Sequence, residues 1–245
     1  MNSIIIIPSR MSSKRFPGKP MAKINGIPMI QMVWEKAKAS RIGEVYVACS
    51  EQEVFELITN IGGNAVLTSP DLPTGTDRIY QAFKNIDSKD QIDAIINLQG
   101  DMPLIDPADI QKVLNPLKKD FTISTLATNL KDDQIVNPNV TKVEVSWVDN
   151  NVGLAKDFYR TKKYTNKNTF HHVGIYGYTP NSLNKFTNIK KSKNEINLNL
   201  EQFRAIDANI NIGVTYVPNI LFGIDTKEDL IEAQNIIIQK NEKNK

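Results

Sequence analysis

The sequence predicts an α/β protein: a mostly parallel sheet with helices on both faces, into which a mixed-sheet insertion is set. Three observations carry this. Over the first half of the 245 residues, short apolar runs alternate with segments of helical period. Those runs are nearly continuous in Ile, Val, Ala and Leu, as in strands covered on both faces. From about Phe121 the rhythm changes to successive strand-like segments separated by Asn-, Asp- and Pro-containing turns. A chain of this length, with 40% hydrophobic and 23% charged residues, fits one large domain as easily as two small ones, and is read as a single domain spanning 1–245.

Taken in order, Ile4-Ile5-Ile6-Ile7-Pro8 predicts a buried strand over 3–8, ending in a basic loop. Met29, Ile30, Met32, Val33 and Ala37 give Pro28 to Arg41 helical spacing. Glu44 to Cys49 reads as the second strand, and Glu51 to Gly62 as a helix stopped by Gly62-Gly63. Ala65 to Leu67 is a short third strand, Thr76 to Ile86 a helix behind a Thr-Gly turn, and Ala94 to Leu98 a fourth strand ending in Gln99-Gly100-Asp101. Asp106 before Pro107 predicts an N-cap with proline at the first helical position, opening a helix to about Leu117. Strands follow over Phe121–Ala127, Thr141–Val148, Gly153–Tyr159 and His171–Tyr178. A helix over Glu195–Asp207, a strand over Asn211–Val217 and a helix from Thr226 to Gln239, capped by Asp225 or Thr226, complete the reading.

Composition excludes several roles. The formal charge of +3 is too small for a nucleic-acid binder, which gathers Lys and Arg on one face. One cysteine, Cys49, excludes an intramolecular disulfide and a cysteine-based zinc cage, and its apolar surroundings predict a buried, inert thiol. The first residues lack the basic and long apolar regions of a signal peptide, and no apolar run is long enough to span a bilayer. The expectation is a cytoplasmic protein with neither a nucleic-acid nor a membrane partner.

In open parallel sheets, ligands bind outside the carboxyl ends of the strands. Three turns follow strands on that edge: the basic loop, Thr74-Gly75-Thr76 and Gln99-Gly100-Asp101. They are expected to converge. The loop packs Arg10, Lys14, Arg15 and Lys19 into ten residues punctuated by Pro17, Gly18 and Pro20, which suggests a receptor for a polyphosphate. It matches neither the Walker pattern nor Gly-x-Gly-x-x-Gly, so side-chain charge rather than a backbone cradle must do most of the holding. Asp101, ending a buried strand, stands where a hard oxygen ligand for Mg²⁺ is needed; a turn or cap role is the plain alternative. Asp225 reads either as a second carboxylate or as the N-cap of the last helix. His171 and His172 are adjacent on a strand, point to opposite faces and are poorly placed to chelate one metal.

Several segments together resemble one family. They are Ile7-Pro8-Ser9-Arg10, Arg15-Phe16-Pro17-Gly18-Lys19-Pro20, Thr74-Gly75-Thr76-Asp77-Arg78, Asn97-Leu98-Gln99-Gly100-Asp101, Asn137-Pro138-Asn139, His172 to Tyr178, Leu200 to Arg204 and Asp225-Thr226 with Glu228-Asp229-Leu230. In this order, over nearly the whole chain, they are similar to the 3-deoxy-manno-octulosonate (Kdo) cytidylyltransferases. The basic loop alone indicates only the wider nucleotidyltransferase superfamily. The Gly-Ile-Tyr-Gly-Tyr and Leu-Glu-Gln segments make the resemblance specific.

The resemblance implies a Rossmann-like nucleotide-diphospho-sugar transferase fold. Within it, residues 1–118 are mainly nucleotide-binding, 119–215 mainly sugar-binding and dimerising, and 216–245 carry the metal-ligand turn and the C-terminal helix. It also implies a Mg²⁺-dependent reaction of CTP with Kdo that gives CMP-Kdo and pyrophosphate for lipopolysaccharide synthesis, in a homodimer. By motif match, Arg10, Arg15 and Lys19 would hold the triphosphate. Thr74, Gly75, Thr76 and Arg78 would frame the cytidine, and Gln99 would lie near the join to the sugar. Asp101 and Asp225 would bind Mg²⁺, and Arg160, His172, Tyr176, Glu201 and Gln202 would line the sugar pocket.

The chain departs from the family pattern in three places. Met102-Pro103 stands where Glu-Pro is usual. Thr161-Lys162-Lys163-Tyr164 replaces a segment leading to an Ile-Pro pair. Around Glu195 the usual acidic pattern is only partly kept, with Leu198 at the later acidic position. Two of these lie in the sugar-recognising half, so 8-amino-Kdo or a nonulosonate is the neighbouring expectation, and a non-catalytic nucleotide-binding relative is the rival from another class.

Overall fold

The β-branched run at the N-terminus forms β1 (Ser3–Ser9), in which Ile4 to Ile7 are at most 1% exposed. The structure is a computed structural model and describes residues 1–13, 15–86, 91–161, 166–218 and 223–243. Lys14, Lys162, Lys163 and Tyr164, which figure in the sequence reading, lie outside the described residues.

After β1, a hairpin of β2 (Lys23–Ile24) and β3 (Ile27–Pro28) turns at Asn25-Gly26, both at positive φ, 50° and 88°. Asn-Gly is the strongest short hairpin signal, because both central residues of this turn must be left-handed; the sequence reading passed over it. The expected helices and strands then follow within one or two residues: α1 (Met29–Ala39), β4 (Gly43–Cys49), α2 (Gln52–Asn60), β5 (Asn64–Leu67), α3 (Gly75–Lys84) and β6 (Ala94–Asn97).

The helix expected over 107–117 is broken into α4 (Pro107–Lys112) and α5 (Leu114–Leu117). Pro116 has no N–H to give the Lys112 carbonyl, so the helical ladder is interrupted there. Next come β7 (Ile123–Thr128), α6 (Asp132–Ile135), β8 (Lys142–Trp147), β9 (Val152–Tyr159) and β10 (Thr169–Tyr178). A helix absent from the sequence reading, α7 (Pro180–Asn188), opens at Thr179, whose hydroxyl accepts from Ser182 N–H, with Pro180 at its first position. That pairing is a recognised start signal. The helix expected over 195–207 is likewise two, α8 (Lys193–Leu198) and α9 (Gln202–Asp207), separated where Asn199 turns left-handed at φ 52°. β11 (Ile212–Tyr216) and α10 (Lys227–Lys243) end the chain.

Contacts group the chain into two compact units. Unit two comprises Ile4–Asp90, Leu98–Pro107 and Leu221–Lys245. Its strands run in the order β5-β4-β1, with β4 and β5 parallel. Phe16, Ile24, Met29, Ile224 and Ala233 form a buried cluster that joins the basic loop, the hairpin, α1 and α10. Unit one comprises Met1–Ser3, Gln91–Asn97 and Ala108–Ile220, with strand order β6-β10-β7-β11-β9-β8 and a further β10–β8 pairing. Here β7 and β11 are parallel, while β10 runs antiparallel to β6, β7 and β8. The antiparallel share is larger than the sequence predicts, because the ten-residue β10 is long enough to border three strands. No helix among the described residues is long and apolar enough to cross a membrane.

Candidate active site

In unit two the three expected turns meet at Pro8. A Cβ on Gly75 would lie 3.3 Å from the Pro8 ring and 3.7 Å from Gln99 Oε1. A Cβ on Gly100 would lie 2.9 Å from the Pro8 carbonyl oxygen, a contact that only glycine avoids. Thr74 caps α3: its hydroxyl accepts from Asp77 N–H at 3.1 Å and donates to the Asp77 carboxylate at 2.8 Å. Gly75 is the first residue of that helix, and the side chains of Thr76 and Arg78 are buried.

The basic loop and the two aspartates come together. Lys19 Nζ donates to Asp101 Oδ2 at 2.8 Å, to the Ile224 carbonyl at 2.9 Å and to Asp225 Oδ1 at 3.4 Å. Arg15 pairs with Asp225 Oδ1 at 2.9 Å, and Ile224 N–H donates to the Asp101 carbonyl at 2.9 Å. Gly18, at φ 72°, makes the left-handed turn that leads into Lys19. Arg10 is exposed.

The two readings of Asp225 are resolved by α10. Thr226 takes the cap, its hydroxyl accepting from Asp229 N–H at 3.2 Å, while Asp229 Oδ2 accepts from the N–H groups of Asp225 and Thr226 at 2.8 Å each. This reciprocal box leaves the Asp225 carboxylate free of capping duty. Asp101 is no cap either, since α4 starts six residues later.

The donor set fits a magnesium ion. Two carboxylates and one carbonyl oxygen already surround a single cationic point, the Lys19 ammonium, and all are hard oxygen ligands. Among the described residues no group of three or more His, Cys, Asp or Glu gathers as a metal cage, so the protein would offer two carboxylates here. One or two carboxylates completed by phosphate oxygens is the usual magnesium arrangement.

Glu51, absent from the sequence reading of the site, adjoins the basic loop. It follows β4 on the same strand edge as the other turns, and its Oε1 accepts from Met11 N–H at 3.1 Å, tethering the basic loop. Its Oε2, together with Arg78 Nη2 and Ser9 Oγ, is buried without a hydrogen-bond partner among the described residues. Arg78 Nη1 donates to Thr68 Oγ1 at 2.5 Å. Its pKa is lowered by burial first, with Glu51 opposing and Arg10 reinforcing the shift. Nearby Cys49 is buried, its thiol pushed up to about 11 chiefly by desolvation, as its apolar setting predicts. Met102 is buried at 6%, so the residue standing at the usual glutamate position packs as core.

In unit one, β10 carries His172 and Tyr176. A bulge between Val173 and Tyr176, where β10 advances three residues against one on β7, keeps both rings on one face with centroids 5.5 Å apart. His172 is buried, edge-on to Phe158, with Nε2 3.0 Å from Thr125 Oγ1. The Thr125 hydroxyl is aimed at the Val173 and Ile175 carbonyls, which makes Nε2–H the donor to Thr125. Burial drives the His172 pKa down to about 3, helped by His171 and Arg160, so the ring is neutral at pH 7. His171 falls to about 4 by burial and the nearby Lys142, and its Nδ1 is buried without a partner among the described residues. The Tyr176 hydroxyl is pushed well above its usual pKa by burial, then by Tyr178 and Glu201, with Gln202 opposing.

Glu201 and Gln202 sit where α8 gives way to α9, next to a buried ion pair. Arg204 reaches Glu195 through Nε–Oε2 at 2.9 Å and Nη2–Oε1 at 2.6 Å, and Glu201 Oε1 at 3.4 Å. Glu195 thus serves the protein's interior. Arg160, half-buried at the end of β9, donates to the Asn139 carbonyl at 3.2 Å and the Pro138 carbonyl at 3.4 Å. The Asn137-Pro138-Asn139 turn is therefore a support for Arg160.

The chain is similar to known proteins over nearly its full length. A family model described as cytidylyltransferase matches residues 4–212. A 3-deoxy-manno-octulosonate cytidylyltransferase of Parvibaculum lavamentivorans is 38% identical over 241 residues, covering 97% of this chain and 93% of its own. One of the same name from Paramagnetospirillum magneticum is 39% identical, covering 97% and 98%. A solved structure of CMP:2-keto-3-deoxy-manno-octonic acid synthetase complexed with CTP matches with TM-score 0.88 at 32% identity, over 98% of this chain and 100% of that one. A UDP-glucose pyrophosphorylase complexed with UDP-glucose, at 15% identity, 98% and 100% coverage and TM-score 0.72, shares the fold. The chain belongs to the cytidylyltransferase family, among its 3-deoxy-manno-octulosonate cytidylyltransferases.

Proposed function

We propose that the protein transfers CMP from CTP to Kdo, giving CMP-Kdo and pyrophosphate for lipopolysaccharide biosynthesis. The observation that carries this is the meeting of Lys19, Asp101 and Asp225 at one point in unit two, on a chain of this family. Arg10, Arg15 and Lys19 would hold the triphosphate and neutralise charge on the departing pyrophosphate. Thr74, Gly75, Thr76 and Arg78 would frame the cytidine, Thr74 through its capped backbone since its hydroxyl is engaged with Asp77. Gln99 would lie near the join to the sugar.

Asp101 and Asp225 would hold Mg²⁺. When bound, that ion supplies Lewis-acid stabilisation of charge at the α-phosphate and lowers the pKa of the attacking hydroxyl. No protein nucleophile is required. The sugar's anomeric hydroxyl attacks the α-phosphorus, the bond from that phosphorus to the bridging oxygen breaks, and the chain's part is positioning and electrostatics. On the sugar, a neutral His172 whose Nε2–H is given to Thr125 can only accept a hydrogen bond, through Nδ1, and gives no charge to a carboxylate. That task falls to Arg160, with Tyr176, Glu201 and Gln202 as further hydrogen-bonding partners. The same reading carries a homodimer in the cytoplasm, tested by light scattering of the purified chain. Val136 and Val148, 78% and 69% exposed on either side of β8, are apolar surface that such an interface would cover.

The deciding experiment incubates purified protein with CTP, Mg²⁺ and, separately, Kdo, 8-amino-Kdo and a nonulosonate, and measures pyrophosphate. Release with Kdo is expected. Release only with another acid moves the reading to that sugar, and no release with any of them leaves the non-catalytic relative.

A further inference from the structure

The most costly side chain in unit one is Lys142. It is 0% exposed, and its ammonium donates to two backbone carbonyls, Asn137 O and Arg160 O, at 2.7 Å each. Among the described residues it has no carboxylate partner, and neither has Arg160. Burying an ammonium without a counter-charge is strongly unfavourable, and a methionine would fill the same space without that penalty. Burial first, and then the Arg160 guanidinium, lower the Lys142 pKa, which is the direction expected when two cations share a poorly solvated place.

The position of Lys142 explains what it can do. It lies opposite Tyr159 of β9 and opposite His171 of β10, so it stands between two neighbouring strands. Its two hydrogen bonds join the Asn137–Asn139 turn to the end of β9. Arg160 grips the same turn from the other side, through the Pro138 and Asn139 carbonyls. Two cations thus brace one three-residue turn, and among the described residues every acceptor they use is a neutral carbonyl.

We propose that Lys142 is a positioning residue for the sugar acid. It pins the turn and the Arg160 backbone so that the guanidinium is held ready, and the paired charge of Lys142 and Arg160 makes this place complementary to one carboxylate. This rests on the reading of the protein as a sugar-acid cytidylyltransferase. It adds a residue that never touches the sugar and acts through Arg160.

The test uses the full chain, with the steady-state constants for Kdo and CTP measured separately for wild type, K142M, R160M, K142M/R160M and K142R. Loss of one positioned charge-assisted contact predicts a rise of about tenfold or more in the Kdo KM of K142M, with the CTP KM within about twofold. If Lys142 works through Arg160, the double variant should be within about threefold of R160M alone, since coupled residues are not additive. K142R, which keeps the charge, should recover most of the loss. A Kdo KM for K142M within twofold of wild type, an equal rise in both KM values, or multiplying effects in the double variant would each overturn the proposal. Should K142M fail to fold, K142R decides: a Kdo KM within threefold of wild type supports the proposal, and a tenfold rise in both constants overturns it. Inactive wild type with every sugar acid would be seen before any variant was made, and would remove the functional reading itself.

Discussion

The Glu195–Arg204 pair should be the most sensitive point of α8 and α9. Replacing Glu195 by glutamine keeps the shape but removes the charge that a buried guanidinium faces. The side chains are 7% and 3% exposed, and the contact is bidentate at 2.6 and 2.9 Å, so solvent screening is minimal. Leaving one buried charge unpaired costs about 3–5 kcal/mol. Two features of the site draw the value to the low end, about 3 kcal/mol on that scale: Glu201 Oε1 is already 3.4 Å from Arg204 and can take up part of its charge, and the guanidinium stacks 4.8 Å over Phe186. For a chain of this size, roughly 2–4 °C of melting temperature accompanies each kcal/mol, so E195Q should melt about 6–12 °C lower. Because Arg204 would then draw on Glu201, the Kdo KM should rise as well. Thermal unfolding followed by circular dichroism, with Kdo kinetics at saturating CTP, measures both. The apolar pair E195L/R204M should recover most of the stability, since a buried ion pair and a packed apolar pair are close in energy. A shift below 2 °C for E195Q, or a double variant less stable than E195Q, would refute the assignment of this pair as a buried anchor.

Other outcomes follow from the same geometry. Asp101→Asn and Asp225→Asn should each lower pyrophosphate release by at least about 100-fold at saturating substrates, the scale for removing one transition-state charge stabiliser; initial rates over a magnesium titration check this, and a near-wild-type rate would remove the metal assignment. Gly100→Ala would place a Cβ 2.9 Å from the Pro8 carbonyl, a backbone atom that cannot swing aside. It should cost about 1–3 kcal/mol in urea unfolding and depress activity with it. Burial holds His171 and His172 down to about 4 and about 3, below the value of about 6.5 expected in the unfolded chain. Between those values the unfolded chain binds more protons, so their contribution to stability is complete above pH 6.5 and is lost as pH falls toward 3. Near pH 5 the two rings together should give a slope of roughly 2.5 kcal/mol per pH unit, read from urea midpoints, and H171N should about halve it; an unchanged slope would mean His171 titrates normally in the fold.

Much of unit two was legible because its signals are local. A β-branched run, a helical period or a Gly-Gly stop can be read within ten residues, and the turns that follow strands mark the ligand-bearing edge. Lys19 and Asp101 stand out for that reason, and Asp225 by its place before the last helix; the fold brings the three together although 206 residues separate Lys19 from Asp225. What stayed hidden depends on partners the sequence does not display. Whether Asp225 or Thr226 caps α10 is decided by Asp229 reaching back to two N–H groups. Glu195 reads only as part of a partly kept acidic pattern until Arg204 is seen to claim it. Lys142 reads as an ordinary strand lysine until its burial is known. Two helices were overextended because Pro116 and the left-handed Asn199 interrupt the ladder without disturbing the apolar period. The Asn25-Gly26 hairpin and the Thr179-Pro180 helix start, by contrast, carry local signals of their own.

The pairing of Lys19 with both carboxylates links the stability of unit two to the chemistry proposed for it. Three oxygens converge on one ammonium, and each member of that cluster has a partner of matching chemistry among the proposed substrates: phosphate oxygens for Lys19 and Arg15, a hard divalent cation for Asp101, Asp225 and the Ile224 carbonyl. Without one another, the loop cations would repel among themselves and the aspartates would stand as two unpaired carboxylates. Paired, they keep the basic loop folded onto the start of α10 through the Phe16–Ile224 cluster. Substrate binding on this scheme is an exchange of ionic partners, not the creation of ion pairs from water. Such an exchange keeps the number of charge-assisted contacts nearly constant, which holds affinity moderate and makes the arrangement selective for a ligand that brings both signs of charge together. A nucleoside triphosphate with its metal does so; a free sugar acid does not.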